Sequence, residues 1–365
     1  MITARDVALL AGLGTEQANS AFSDLDRLPV TDLVTLMAAQ AQRAGDAVAG
    51  AVRLLAPVVE EVVKRLETGG RLVYVGAGTA GRLGMLDAAE AVPTFSVPAG
   101  TIVAVLAGGQ EAFGNAAENA EDEPEAGADA LDRLGVSDRD AVLGISASGR
   151  TPFVLGAIRR ANELGALTVG LACNESTPLG AIAHLPVEIP IGPEVIAGST
   201  RLNAGTVQKI VLNIISTAAM VRLGKTFGSL MVDVKPTNAK LRERAVRIVT
   251  TITGASADAA RDALVTSDWR PKVASIVLAA GLDADKAGAL LDRHRGRLRD
   301  ALAAGFSTGQ VSTGQVSTGQ VSTGQVSTGQ GVSAGQGVSA GREVSRDGHG
   351  RAAPVASRSA KGAPG

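Results

Sequence analysis

RLVYVGAGTAGRLG (residues 71–84) decides the fold. An apolar run, Leu72 to Val75, stops at closely spaced glycines, and a helical pattern starts directly behind them. The form returns in TIVAVLAGG (101–109), DAVLGIS (140–146) and LTVGLAC (167–173), with LPVEIPI (185–191) a weaker fifth. Helical patterns such as TPFVLGAIRRANELG (151–165) separate them. Near-continuous apolar strands alternating with helices predict an α/β fold, a parallel sheet covered on both faces. In such sheets ligands bind beyond the C-terminal ends of the strands. The loops 76–82, 107–123 and 146–152 are therefore where chemistry is expected.

Outward from this unit the chain turns helical on both sides. Residues 31–68 read as helix, with Pro57 dividing them into two and Gly69-Gly70 ending the second. The apolar stretch 201–224 reads as one helix. Beyond Pro236, helices are expected near 237–252, 256–267, 271–280 and 284–303. From Ser307 the chain repeats STGQV four times and contains no Leu, Ile, Phe, Met, Trp or Tyr. Such a segment cannot offset the entropy of its own ordering and is expected to be a disordered tail, 307–365. Its five basic and two acidic residues give +3, against 30 basic and 34 acidic, or −4, in the rest.

Composition excludes several function classes. The whole 365-residue chain has a net charge of −1, which speaks against a nucleic-acid partner. Aromatic residues make up 2%, too few for base-stacking platforms. Three histidines (His184, His294, His349) and one cysteine (Cys173) cannot assemble a Cys/His zinc site. No cofactor is implied. No run of about 18 uncharged apolar residues predicts a membrane span. The opening MITARDVALLAGLG lacks a leader's small-residue cleavage site, so a cytoplasmic protein is expected.

Two loops suit an anion. In VGAGTAGRLG, Gly76, Gly78 and Gly81 would let backbone N–H groups approach a ligand at a helix start, with Thr79 between them. The G-x-G-x-x-G spelling alone is weak evidence for a dinucleotide, and no acidic residue follows at the ribose position. Tight packing explains these glycines equally well. In SASGRTP (146–152), Ser146, Ser148 and Thr151 stand with Gly149 and Arg150 between a strand and a helix. Helix capping needs one hydroxyl, and here there are three, so a phosphate monoester is the better reading. GPEVIAGSTRLNAGTVQK (192–209) adds Glu194, Ser199, Thr200, Arg201 and Lys209, for which capping and solvation are the competing reading. Glu90 is flanked by Ala88, Ala89, Ala91, Val92 and Pro93; an apolar setting would suit an acid or base near neutrality, and an exposed glutamate at a helix end is the competing, commoner reading. Cys173 reads as a small buried hydrophobe, and His184 as a histidine without partners.

These strings together resemble the sugar isomerase (SIS) domain fold, and more narrowly the N-acetylmuramic acid 6-phosphate etherases. TEQANSAFSDLD (15–26), GAGTAGRLGMLDAAEAVPT (76–94), AGGQEAF and AENAED (107–122), SASGRTPFV (146–154), GPEVIAGSTR with AGTVQK (192–209) and NIISTAAMVRLGK with GSLMVDVKPTN (213–238) occur in the family's order. The resemblance covers residues 1–306. It implies an α/β/α sandwich over 56–236, preceded by a helical segment, 1–55, and followed by a ubiquitin-associated-like helical domain, 237–306. It also implies a homodimer with its sites near the subunit contact, for which the 201–224 helix is the candidate face.

The implied reaction needs neither metal nor nucleotide: N-acetylmuramate 6-phosphate and water give N-acetylglucosamine 6-phosphate and D-lactate. By resemblance Glu90 protonates the departing lactate oxygen and Glu121 is the second catalytic residue. Gly78, Thr79, Ser146, Ser148, Gly149, Arg150, Thr151, Glu194, Ser199 and Arg201 bind substrate. Two positions depart from the family pattern: Ala80 stands where a serine is usual, and Leu202-Asn203 where Met-Lys is usual. A non-catalytic sugar-phosphate regulator and a sugar-phosphate isomerase are the alternatives on the same fold.

Overall fold

The computed structural model describes residues 13–115 and 119–308; the expectation of a disordered 307–365 tail lies almost wholly outside them. Two long helices open the described chain, α1 (Val30–Gly50) and α2 (Val52–Glu67). They meet at Ala51 and not at the expected Pro57, which is carried inside α2. Gly50 is the weaker point because glycine loses most entropy in a helix. An early proline forfeits only one backbone bond to the turn before it.

The alternating region follows: β1 (Leu72–Gly76), α3 (Gly78–Phe95), β2 (Ile102–Leu106), α4 (Pro124–Leu134), β3 (Ala141–Ile145), α5 (Pro152–Glu163), β4 (Leu167–Ala172), α6 (Pro178–Ile182) and β5 (Leu185–Glu188). All five strands are parallel, in the order β2-β1-β3-β4-β5. The expected sheet is therefore present, each strand within its expected run.

Strand alternation sorts the core into two layers. Leu72 and Tyr74 of β1 and Leu143 and Ile145 of β3 face α1, α2, α3 and α7 (Asn203–Arg222). Val73, Val75 and Val142 face α4, α5 and α6. The α7 helix is apolar and long enough by composition to cross a membrane, yet over half of it is buried inside the protein. Its apolar residues are spent on the core, so it offers less free contact surface than its sequence implies; Ile214 and Val221 are its exposed large apolar side chains.

A short hairpin, β6 (Thr226–Phe227) with β7 (Leu230–Met231), leads to α8 (Ala239–Thr253), α9 (Ala257–Thr266), α10 (Pro271–Ala280), α11 (Ala284–Arg293) and α12 (Leu298–Thr308). The expected 284–303 helix is thus two. Arg295 and Gly296 take positive φ between them, and the buried Lys272 Nζ donates to the Gly296 carbonyl at 2.8 Å and to Asp233 at 2.8 Å. A reversal that both needs glycine and feeds a buried ammonium is difficult to see in a helical periodicity.

Candidate functional site

The register aligns Gly76 of β1 with Leu106 of β2 and Ile145 of β3. The three expected loops therefore leave one edge together. After β1 the chain crosses to β2 on one side, and β3 pairs on the other. The loops after β1 and β3 diverge at this switch point and leave a crevice between them. A cavity of about 310 Å³ lies there, lined by Thr79, Ser146, Ser148, Arg150, Thr151 and Glu121 among others.

Backbone sterics fix its walls. A Cβ at Gly76 would come within 2.6 Å of the Gly81 nitrogen, and one at Gly81 within 2.6 Å of the Gly76 carbonyl oxygen. Those two glycines serve close packing of α3 on β1. Gly78 is different: its φ is +51°, its Cβ direction is open, and it turns the chain into α3 beside Thr79. In the second loop, Gly149 at φ +66° lies so close to Thr177 that a Cβ would meet it at 2.4 Å. Its N–H donates to Ser146 Oγ at 3.0 Å. Ser146 Oγ lies 2.8 Å from Thr151 Oγ1 and 3.4 Å from Ser148 Oγ, and Ser148 accepts from the Arg150 N–H at 3.2 Å. Thr151 precedes α5 but makes no side-chain cap bond. The three hydroxyls are held as a cluster facing the cavity, which capping does not require.

Glu121 reaches this cavity from a short 3₁₀ turn, Ala120–Asp122. Arg82, on the first turns of α3, donates to the carbonyls of Ala112, Phe113 and Asn115 and ties the post-β2 segment to the loop after β1.

Glu90 is elsewhere. It follows Gly78 by more than three turns of α3, about 18 Å along the axis. It is exposed, the competing reading of its sequence, because a helix turns its apolar flanks to other sides. It borders a second cavity, of about 370 Å³, with Asp87, Thr94, Asn213 and Ser229. Beneath it Asp87 is buried and accepts from the Tyr74 hydroxyl at 2.8 Å, Asn213 Nδ2 at 2.6 Å and Ser216 Oγ at 3.2 Å. This network pins the far half of α3 to β1 and α7 and so fixes where Glu90 emerges. Burial, then the charge of Asp87, pushes the Tyr74 hydroxyl well above its ordinary range.

The remaining expected residues divide. Glu194 is 1% exposed, and its two oxygens accept the N–H groups of Asn203 at 3.0 Å and Ala204 at 2.9 Å. It closes the N-terminus of α7, where a carboxylate is favoured by the helix dipole. Ser199 and the exposed Arg201 are not on the cavity wall, whereas Thr200 between them is. Further polar residues on the wall are Asp122, beside Glu121, and two more distant in sequence, Glu16 and Gln208. Both lie in quoted strings, but only burial and the fold of Leu13–Gln17 against Asn174 and Gly198 bring them to this edge. Cys173 is buried as expected, and burial, then the nearby Glu194, pushes its thiol up to about 12. His184, expected without partners, has its Nδ1 within 2.8 Å of Thr168 Oγ1 and accepts the Thr168 N–H at 3.2 Å.

The profile of the SIS domain matches residues 114–218, and that of the glucokinase regulatory protein N-terminal SIS domain matches 54–162. The N-acetylmuramic acid 6-phosphate etherase of Rubrobacter xylanophilus is 53% identical over 296 residues, 81% of this chain and 98% of its own. The chain belongs to the N-acetylmuramic acid 6-phosphate etherase family. The family's Mycolicibacterium smegmatis member is 46% identical over 296 residues, again 81% of this chain and 99% of its own. Among solved structures, a phosphoheptose isomerase from Francisella tularensis superposes with a TM-score of 0.42 at 18% identity, covering 53% of this chain and 100% of that one. Etherase membership covers the body of the chain, and the SIS fold of the family is the sheet described above.

Proposed function

We propose that this chain cleaves the D-lactyl ether of N-acetylmuramic acid 6-phosphate as a carbon–oxygen lyase, giving N-acetylglucosamine 6-phosphate and D-lactate. The observation that carries it is the 53% identity to an etherase across 98% of that relative's length. The cavity at the switch point supports it: clustered hydroxyls, a loop arginine and the carboxyl of Glu121 share one wall system. The 6-phosphate belongs against Ser146, Ser148, Thr151, Thr79 and Arg150. Gripping this remote group supplies binding energy that orients the reacting carbons.

On the ring-opened sugar the C1 aldehyde acidifies the C2 proton. A carboxylate takes that proton, the C3–O bond breaks, and its electron pair leaves with lactate, whose oxygen is protonated. Water then adds its hydroxyl to C3 and a proton returns to C2. Glu90 is the acid at the lactate oxygen and later the base for water, which leaves the C2 proton to Glu121. Glu90 and Glu121 border different cavities of one chain, Glu90 lying at the far end of α3 from the hydroxyl loop.

We therefore infer a homodimer in which Glu90 of one copy serves the cavity of the other. Exposed apolar side chains on the neighbouring turns of α3, Leu86 and Val92, and Val221 of α7 on the same cavity fit such a contact. Separate core clusters support two domains, a sugar-phosphate one and a helical one, the helical core already including Val232 and Val234 ahead of the expected boundary at 236. A cytoplasmic setting fits the single, buried thiol.

The purified protein given N-acetylmuramate 6-phosphate should release D-lactate. No lactate above a Glu90→Ala control would refute the activity. Interconversion of aldose and ketose phosphates instead would favour an isomerase.

A further inference from the structure

Gln208 lies on the second turn of α7, 1% exposed, on the wall of the cavity that holds Ser146, Thr151 and Arg150. Its Nε2 has no hydrogen-bond partner among the described residues. Leaving a buried amide donor unpaired is destabilising, a cost that an apolar residue of the same size would avoid. A donor kept at that cost on a polar cavity wall points to an acceptor that arrives with the ligand. Among the described residues the other buried, unpartnered side-chain donor is Arg150 Nε, on the same cavity.

The two donors differ in charge and in place. Arg150 belongs to the hydroxyl loop, and a guanidinium suits a phosphate dianion. Gln208 is neutral and comes from a different helix. Gly205, one turn earlier on α7, packs on the phosphate side: a Cβ there would stand 3.3 Å from Thr79 Cγ2. Gln208 is one turn farther along α7 from that contact. We propose that Gln208 is a substrate-binding residue whose Nε2–H donates to a neutral oxygen, hydroxyl or carbonyl, of the sugar chain. It thereby selects a sugar phosphate over bare phosphate. The inference rests on the sugar-phosphate reading of this cavity.

Calorimetric binding to the full-length protein tests it independently of turnover, with N-acetylglucosamine 6-phosphate and inorganic phosphate as the two probes. Gln208→Met keeps the length and removes the donor; Gln208→Glu keeps the shape and replaces the donor with an acceptor. In both, Kd for the sugar phosphate should rise about tenfold or more; in Gln208→Met, Kd for phosphate stays within about twofold, whereas the added carboxylate of Gln208→Glu repels phosphate too. The thermal midpoint of ligand-free Gln208→Met should not fall, because the lost group has no protein partner to lose. A purely structural glutamine would lower the midpoint and weaken both probes equally, and that result overturns the proposal. Wild-type sugar-phosphate affinity in Gln208→Met overturns it as well and leaves the cavity reading standing. A wild-type protein that binds neither probe sinks both.

Discussion

The two edges of the sheet use the same residue types to opposite ends. At the N-terminal edge, Arg71 before β1 meets Asp140 before β3 with Nη2 to Oδ2 at 2.8 Å and Nε to Oδ1 at 3.1 Å. The remaining guanidinium donors take the carbonyls of Leu134 at 3.0 Å and Gly135 at 2.8 Å. Asp140, 2% exposed, also accepts the N–H groups of Arg71 and Ser137. At the C-terminal edge, Arg150 leaves a buried Nε unpaired, Gln208 leaves an amide donor unpaired, and three hydroxyls bond to each other and to the N–H groups of their own loop. Polar groups at one edge are satisfied within the protein; at the other, two buried donors stay unpaired and open to a ligand.

Removing the two candidate catalytic carboxyls should abolish chemistry and spare the fold. Glu90→Gln and Glu121→Gln should each cut lactate release by about 10²–10⁴-fold, the usual worth of a general acid or base. Mixed in equal amounts and allowed to exchange subunits, the two should recover about a quarter of wild-type activity, since half the dimers then hold one intact site. Mixing without recovery would place both carboxyls on one chain.

Breaking the N-terminal edge should do the reverse. Asp140→Asn should lower unfolding free energy by about 3 kcal/mol, seen as a lower urea midpoint, with kcat per folded molecule unchanged. Although burial raises the Asp140 carboxyl, hydrogen bonds from Arg71 and from the Ser137 and Arg71 N–H groups hold it below its ordinary range. Its folded pKa is thus lower than its unfolded one. The stability it contributes is present above about pH 4 and is lost as pH falls through the folded value. Acid titration of the urea midpoint should show that loss in the wild type and a shallower one in Asp140→Asn.

Smaller changes sharpen the contrast. Ser146→Ala should raise KM about tenfold through one lost hydrogen bond to a charged ligand. Ala80→Ser restores the family's hydroxyl at a nearly buried cavity position and should tighten phosphate binding by no more than about 1 kcal/mol.

Much of this is legible in residue order. The apolar runs ending in glycine place five parallel strands, and the hydroxyl-rich 146–152 loop stands out by composition alone. Periodicity misleads where a residue's role depends on its neighbours in space. Pro57 reads as a break but is tolerated early in α2. The Arg295–Gly296 reversal is hidden in a charged helical pattern. Glu90 has apolar neighbours in sequence and solvent beside it in the folded chain. Of the two readings open for Glu194, its bonds to the α7 N-terminus fit the capping one. Gln208 has no signal in sequence, because an unpaired donor is defined only by what fails to surround it.

Isotope tracing of the reaction in H₂¹⁸O tests the chemistry most directly. Elimination followed by hydration breaks the sugar C3–O bond, so ¹⁸O is expected in the 3-hydroxyl of N-acetylglucosamine 6-phosphate and not in the released lactate. Label in the lactate, or lactate release that persists in both Glu90→Gln and Glu121→Gln, would contradict it.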